Sequence, residues 1–375
     1  MYRSFHLSRI GASHIRKGIP CQDASLSLSC PEGEIAIVAD GHGNRRHFRS
    51  ARGAKLACEV ARDKIISALR EEALESTERD LFEEPDMDLL LTKMKREILI
   101  GWADAVYRDY EDNPWTEEEL FEQEDLLSPD QFESMVRGRN VLIAYGSTLL
   151  ASFTFEGGWA AIQIGDGCVV RIERDGQFEW PMPESTVNDG NKTASLCMSN
   201  AMCEFRHCYG TDAGIALLVF TDGIEKSFPS QGKEITSLLH WIWKNEKNDY
   251  ESKENNLART LDLITDRSTA GDDMSIAGLI DPEAEDVAPK LSKRQKELER
   301  ERVLAQITEM ESTIRYNSKR LIIEKMNAKS NDNSAVGQLK EILKRKKTAV
   351  EELRKKLEML PEAEQPAGSD EENLS

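Results

Sequence analysis

The sequence contains no uninterrupted run of about 18 apolar residues, the length that a helix needs to cross a bilayer. Its first residues also lack the apolar stretch of a secretory signal. The seven cysteines are odd in number and include no CxxC pair, which argues against a disulfide framework and a common structural zinc site. We therefore expect a soluble cytoplasmic protein with reduced thiols and no membrane segment.

Positive charge is scarce as well, since 49 Lys and Arg stand against 68 Asp and Glu, giving a net charge of -19. A chain this acidic repels phosphate backbones and anionic lipids, so we expect it to bind neither nucleic acid nor membranes. The sequence also has no Cys-x5-Arg loop, no Asp-x-Asp pair at a predicted strand end and no GxxxxGK[ST] loop. Cysteine-nucleophile, aspartate-nucleophile and P-loop phosphoryl chemistry therefore fit the chain poorly.

Composition changes near residue 282, where an acidic stretch between two prolines separates a mixed region from a helical, charged one. We predict a folded domain at residues 1–282, a linker at 283–289, a helical coiled-coil arm at 290–360 and a disordered acidic tail at 361–375. The first part is long enough to bury a substantial core.

The arm has two stretches, beginning at Val303 and Val336, in which apolar residues alternate four- and three-residue steps. A polar break between them favours a hairpin of antiparallel helices. Self-association or partner binding through residues 290–360 is the alternative. Residues 289–360 hold 19 Lys and Arg against 11 Asp and Glu, so the arm is also suited to an acidic partner or to the acidic segment at 117–133.

Two helices are predicted early in the first domain. One starts at about Phe48 and carries a stripe of alanines, and the other covers about 86–109 with apolar residues at four-residue spacing. From Gly146, strand-like runs linked by Gly-Gly and Asp-Gly turns predict an antiparallel meander of hairpins. Residues 184–214 read as an irregular flap, with helices expected at about 231–247 and 251–267.

Four β-prone runs in this domain carry an aspartate at one tip. Asp40, Asp166 and Asp222 each follow such a run and precede a glycine, while Asp272 and Asp273 come directly before another run. A single Asp-Gly pair is usually a turn. Four copies at strand tips favour a group of carboxylates instead, with glycines that allow close backbone approach. Oxygen ligands without His or Cys select hard ions such as Mg²⁺ or Mn²⁺.

His42 stands inside the first of these motifs, in the order Asp40-Gly41-His42-Gly43. Taken alone it would be interpreted as an exposed turn histidine. Its position beside a candidate metal ligand favours a role in proton transfer.

Six motifs in order then point to a known family. They are Gln22-Asp23, Asp40-Gly41-His42-Gly43, Gly146-Ser147-Thr148, Gly165-Asp166-Gly167, Thr221-Asp222-Gly223 and Gly271-Asp272-Asp273-Met274-Ser275. The series, over about residues 8–281, resembles the metal-dependent protein serine/threonine phosphatases of the PP2C (PPM) family, particularly the compact bacterial type. The resemblance implies an α+β fold, an α-β-β-α sandwich of two antiparallel sheets flanked by helices, here with a C-terminal helical hairpin.

The resemblance also implies a binuclear centre of Mn²⁺ or Mg²⁺ with room for a third ion. By similarity, Asp40 bridges the two ions, Asp222 and Asp272 complete the first, and the Gly41 carbonyl binds the second. Asp166 matches a ligand of the third ion, and Asp23 matches a carboxylate that holds metal-bound water. A metal-bridging hydroxide would attack the phosphoryl group, with His42 as general acid.

One position departs from the family pattern. Many members carry a phosphate-binding arginine five residues before the aspartate of the first motif, and Gly18 stands there in this chain. Arg16, Lys17 and His14 are the nearby candidates for holding phosphate. Because of this departure, the residue that binds the phosphate group is not identified by the resemblance.

The expected function is hydrolysis of phosphoserine and phosphothreonine in phosphoproteins, with a cognate Ser/Thr kinase as the opposing partner. Two alternatives remain: a pseudophosphatase scaffold that acts through the coiled-coil arm, and a hydrolase of small phosphoesters. Loss of metal aspartates would have favoured the scaffold, and none is lost.

Overall fold

The computed structural model describes residues 2–78, 86–185, 193–226, 257–259, 261–262, 271–284, 287–327 and 334–360. The chain divides into two compact units, one of residues 1–231 and 241–287 and the other of residues 232–240 and 288–375. None of the helices in these described ranges has both the length and the apolar composition to cross a bilayer.

The strands of the first unit are β1 (Arg3–Arg9), β2 (Ala24–Cys30), β3 (Gly33–Ala39), β4 (Leu149–Phe155), β5 (Gly158–Ile164), β6 (Cys168–Ile172), β7 (Phe178–Glu179), β8 (Arg206–Gly210), β9 (Ala216–Phe220) and β10 (Met274–Ile280). They form two antiparallel sheets, in the orders β1-β10-β9-β6-β7 and β2-β3-β4-β5-β8. We call the first the β10 sheet and the second the β3 sheet.

The helices are α1 (Ala12–Lys17), α2 (Ser50–Glu78), α3 (Met87–Asp112), α4 (Glu117–Glu124), α5 (Pro129–Val136), α6 (Val141–Ala144), α7 (Ala201–Glu204), α8 (Asp222–Lys226), α9 (Val287–Asn327) and α10 (Ser334–Glu358). A 3₁₀ turn spans Arg45–His47. Two antiparallel sheets with flanking helices confirm the predicted α+β sandwich, and the two C-terminal helices are present as expected.

From Ile35 to Ala39, strand β3 is apolar without interruption because both of its faces are covered. Ile35, Ile37 and Ala39 belong to the core that α2 and α3 form on one face, whereas Ala36 and Val38 belong to the core between the sheets. Successive side chains of a strand point to opposite faces, so a strand covered on both faces needs apolar residues at every position. This central strand is thereby held rigidly up to its last residue, directly before Asp40.

Helices α2 and α3 cover the outer face of the β3 sheet, as their periodicity predicts. Ala57 and Ala61 on α2 are fully buried, as are Ile98 and Trp102 on α3. The indole N–H of Trp102 donates to the carbonyl of Gly53 at 3.1 Å, which ties the two helices together. The helices predicted at about 231–247 and 251–267 lie largely outside the described residues.

Two predictions for the middle of the chain were partly wrong. Strands β4 and β5 form a hairpin, but β6 crosses to the β10 sheet and pairs with β9, so the Asp166-Gly167 turn joins two sheets instead of two neighbouring strands. The predicted flap at 184–214 contains α7 and β8, and β8 pairs with β5. In both places the missing information was the partner strand, since local turn chemistry does not specify which sheet receives the next strand.

In the second unit, α9 and α10 form the expected helical hairpin. Val303, Ile307 and Val350 make its buried seam, with Met310, Ile314, Leu353, Leu357 and Leu360 packed against it. A guanidinium N–H of Arg354 donates to Glu311 at 2.6 Å across the two helices. The spacing pattern at residues 303–321 and 336–360 thus marks an intramolecular contact, while self-association of the arm stays a prediction.

Candidate functional site

A pocket of about 620 Å³ opens where several strand tips of both sheets meet. Its lining comprises His14, Gln22, Asp40, Gly41, His42, Gly43, Asn44, His47, Asp166, Thr193, Ser195, Cys197, Met198, Asp222, Lys226, Asp272 and Asp273. We call it the aspartate pocket. Its volume is in the ordinary range for ligand sites, which is roughly 300–1,000 Å³.

Antiparallel pairing explains why the strand-tip aspartates converge. Asp222 follows the end of β9 and Asp272 precedes the start of β10, and the two strands pair antiparallel with Phe220 opposite Ile276. In the other sheet, Asp40 follows β3 and Asp166 follows β5. The end of one strand and the start of its antiparallel neighbour lie at the same edge, so the two sheets together deliver four carboxylates to one place.

The Asp40-Gly41 turn is held by backbone contacts on both sides. The amide of Asp40 donates to the Thr148 hydroxyl at 2.9 Å, and the amide of Thr148 donates to the Asp40 carbonyl at 2.8 Å. At Gly41 a Cβ atom would lie 2.5 Å from the carbonyl oxygen of Gln22, so only glycine fits there. The motif Gly146-Ser147-Thr148 thereby fixes the position of the Asp40 backbone.

The carboxylates of the pocket destabilise one another electrostatically. Burial raises the pKa of Asp40 well above its usual range, and the charges of Asp23, Asp222, Asp272 and Asp166 raise it further. For Asp222, burial and the neighbouring Asp166 raise the pKa to about 6, against the opposing effect of a lysine. Carboxylates placed close together in a buried setting resist being charged at the same time.

Three observations bear on whether these residues fit divalent cations. The donor set consists of carboxylates with a nearby glycine carbonyl, which suits Mg²⁺ or Mn²⁺. A cation already lies among them, since the ammonium of Lys226 is 2.5 Å from Asp222 Oδ2 and 3.3 Å from Asp272 Oδ2. Within the described ranges, however, no three His, Cys, Asp or Glu side chains converge closely enough to hold an ion. The residues fit by charge and chemistry, and ion binding requires some movement of side chains.

Asp23 lies behind the pocket and is buried. Its Oδ2 accepts a hydrogen bond of 2.7 Å from the Thr221 hydroxyl, which in turn accepts from the Ser275 amide at 2.9 Å. Burial raises the pKa of Asp23, and the charges of Asp273 and Asp272 add to the rise. Asp23 therefore does not line the pocket, but its charge interacts with the carboxylates that do.

Asp273 has a different role from its neighbour. Its carboxylate accepts from the amides of Gly11 and Gln22, both at 2.6 Å, and lies 2.9 Å from Nδ1 of His14. It thereby ties the loops before α1 and β2 to the start of β10. This explains a carboxylate at that position without a metal, and it places His14 in the lining of the pocket.

His42 lies in the lining with His47 beside it, their ring centroids 4.9 Å apart in an edge arrangement. Burial and the charge of His47 lower the pKa of His42 to about 4. Nδ1 of His47 lies 2.5 Å from the carbonyl oxygen of Ile143, so this nitrogen carries a proton. In the metal-free protein at neutral pH His42 is therefore mainly neutral.

Of the three residues considered for phosphate binding, the structure brings one to the pocket. His14 is in the lining, whereas Arg16 and Lys17 are exposed on α1 and outside it. Lys226 and His47 also line the pocket and were not predicted from the sequence. The only available signal for Lys226 was its position four residues after Asp222, which on a helical turn places the two side chains together.

A family model described as protein phosphatase 2C matches residues 10–262. No curated protein matches the chain.

The solved structures that match the chain are distant in sequence. Serine/threonine phosphatase Stp1 from Staphylococcus aureus is 14% identical with a TM-score of 0.48, covering 75% of this chain and 95% of that one. PppA, a regulatory component of T6SS in Pseudomonas aeruginosa, is 18% identical with a TM-score of 0.44, covering 74% and 97%. RsbX in complex with magnesium is 11% identical with a TM-score of 0.38, covering 75% and 96%.

The raised carboxyl pKa values predict how the metal-free protein responds to pH. A folded-state pKa above the unfolded value stabilises the fold at low pH, and this contribution is lost as pH rises through the folded pKa. Asp40→Asn removes one of the opposing charges. Its melting temperature in EDTA should exceed that of the wild type by several degrees at pH 8, at roughly 2–4 °C per kcal/mol, and by little at pH 4.5.

The matched control is Asp104→Asn, at an exposed carboxylate on α3. It should melt within a degree or so of the wild type at both pH values, since surface substitutions have small effects. A difference between Asp40→Asn and the wild type that stays constant from pH 4.5 to 8 would contradict mutual repulsion in the pocket.

Proposed function

This chain belongs to the protein phosphatase 2C family, and we propose that it hydrolyses phosphoserine and phosphothreonine esters in proteins with two Mn²⁺ or Mg²⁺ ions. The observation that carries the proposal is the set of strand-tip carboxylates that face one pocket, where burial and neighbouring charges raise the pKa of Asp40 and Asp222. Such a cluster is costly for stability alone, and it is characteristic of sites that hold cations.

We propose the following roles. Asp40, Asp222, Asp272, Asp166 and the Gly41 carbonyl would hold the ions, and Asp23 would hold water behind them. When bound, the ions supply an acidified water and neutralise the charge of the phosphoryl group. The hydroxyl of Thr193 donates to Oδ2 of Asp166 at 2.7 Å and thereby orients this carboxylate in the pocket.

His42 is proposed as the donor of a proton to the leaving serine or threonine oxygen. In the free protein its pKa is about 4, so few imidazoles carry the second proton at neutral pH. A phosphate dianion beside the ring favours the charged imidazole and raises that pKa when substrate binds. The proton is therefore taken up together with the substrate, at the point where it is needed.

Phosphoprotein substrates imply a Ser/Thr kinase that makes them, and we propose such an enzyme as the opposing partner. The side of the pocket next to Asp166 is formed by Thr193, Ser195, Cys197 and Met198, ahead of α7. These small and medium side chains are suited to contact the peptide around a phosphorylated residue. The arm at 290–360 remains the proposed element for partner binding or self-association.

The proposal is tested by hydrolysis of a phosphothreonine peptide with and without MnCl₂. Asp222→Asn removes a carboxylate of the cluster and should lower kcat/KM about 100-fold or more, since metal-assisted charge stabilisation is worth several kcal/mol. Chelation of the metal should abolish the wild-type activity, and added Mn²⁺ should restore it.

Asp104→Asn is again the matched control and should retain wild-type kcat/KM. Activity of the wild type that persists in excess chelator would exclude the proposed mechanism. So would an Asp222→Asn variant as active as the control.

The role of His42 is tested by the leaving group. His42→Gln should lower kcat about 100-fold or more for the phosphothreonine peptide, because an alkoxide needs a proton, and less than about tenfold for an aryl phosphate. For the wild type, the pKa attributed to His42 should be higher in the pH profile of kcat than in that of kcat/KM. Equal losses on both substrates would rule out His42 as the proton donor.

A further inference from the structure

Lys226 is placed in the aspartate pocket by the short helix α8. Asp222 begins this helix and Lys226 ends it, and residues four apart on a helical turn lie on the same side. The ammonium reaches both Asp222 and Asp272, from two different strand connections, at 2.5 and 3.3 Å. About half of the side chain, 51%, is nevertheless exposed, so the long stem can move without repacking the core.

The pocket carries an excess of negative charge, and the ammonium of Lys226 is suited to offset it. Five aspartates line the pocket, and within the described ranges Lys226 is the only Lys or Arg that does so. Two divalent ions would cancel four of the five negative charges. An entering phosphate dianion then adds negative charge in a low-dielectric site, where a further cation is strongly favourable.

Four other basic residues of the described ranges are paired with a carboxylate or lie outside the lining. The guanidinium of Arg9 is paired with Asp262 at 2.7 Å. His14 lies 2.9 Å from Asp273. Arg16 and Lys17 are exposed outside the lining.

We propose that Lys226 is the residue that binds the substrate's phosphoryl oxygens, in place of the arginine that this chain lacks. In the metal-free protein its ammonium is paired with Asp222 and Asp272. Divalent ions take over these carboxylates, and the ammonium is released to the phosphate. The proposal rests on the proposed function of the same pocket, and it makes metal binding and phosphate binding depend on one side chain.

The test measures binding of inorganic phosphate to the Mn²⁺-loaded full chain by calorimetry, so that turnover is not required. Lys226→Met should weaken phosphate binding about 10- to 100-fold, the usual range for losing a hydrogen bond to a charged group. Lys226→Arg should stay within about threefold of the wild type. With an aryl phosphate, Lys226→Met should raise KM by a similar factor.

Lys64→Met is the matched control. Lys64 is also a partly exposed lysine paired with a carboxylate, Glu97 at 3.0 Å, on the α2–α3 surface. It should bind phosphate as the wild type does. Unchanged phosphate binding in Lys226→Met would overturn the proposal, as would a loss of the same size in an Arg16→Gln, Lys17→Gln double variant.

A second measurement is possible because Lys226 and Mn²⁺ compete for the same carboxylates. Removing the ammonium should tighten Mn²⁺ binding in the absence of phosphate, by about threefold or more, because the lysine no longer occupies the carboxylates. Weaker Mn²⁺ binding in Lys226→Met would contradict this part of the account.

The two proposals fail in different ways. A wild type that binds Mn²⁺ and phosphate without hydrolysing any phosphoester would reject the proposed function, while the phosphate-binding comparison would still decide on Lys226. A Mn²⁺-loaded wild type that binds no phosphate would reject Lys226 as a phosphate-binding residue.

Discussion

Mutual repulsion among the carboxylates of the aspartate pocket is the constraint on which this structure depends. Asp40 and Asp222 are buried close to other carboxylates, and the pKa of each is raised as a result. Folding alone gains nothing from such a cluster. Cations relieve it, and the metal-free protein already uses one, the ammonium of Lys226. Asp273 is the exception, because two backbone amides donate to its carboxylate and Nδ1 of His14 lies 2.9 Å from it.

The fold holds these charges together by leaving the backbone no room to separate them. Strand β3 is covered on both faces up to Ala39, and the turn that follows is packed so tightly that Gly41 tolerates no Cβ atom. At Gly223, a Cβ would lie 1.8 Å from the carbonyl oxygen of Asp273, so the segments after β9 and before β10 are also tightly packed. The site is therefore adjusted by its side chains, and Lys226 has the most freedom among the charged ones at Asp222.

Much of this arrangement could be predicted from the sequence, because it is carried by local signals. The tips of apolar runs identified Asp40, Asp166, Asp222 and Asp272, and antiparallel pairing brings them together in the pocket. Sheet membership could not be predicted in the same way. The Asp166-Gly167 turn looks like a hairpin turn, yet β6 pairs with β9 in the other sheet, since the choice of partner depends on long-range packing.

The positively charged residue of the site, Lys226, could not be predicted from the local sequence either. A single lysine after an aspartate is common on helices, and only the fold shows that Lys226 meets Asp272 from a segment 46 residues away along the chain. The long-range contact turns an ordinary helical pair into a bridge between two proposed metal ligands.

Anomalous diffraction at the manganese edge, from crystals grown with MnCl₂, tests the central claim most directly. The account predicts two manganese peaks in the aspartate pocket, both contacted by the carboxylate of Asp40, with the ammonium of Lys226 displaced from Asp222 and Asp272. A pocket without manganese, in which Lys226 still bridges the two aspartates at high Mn²⁺ concentration, would contradict it.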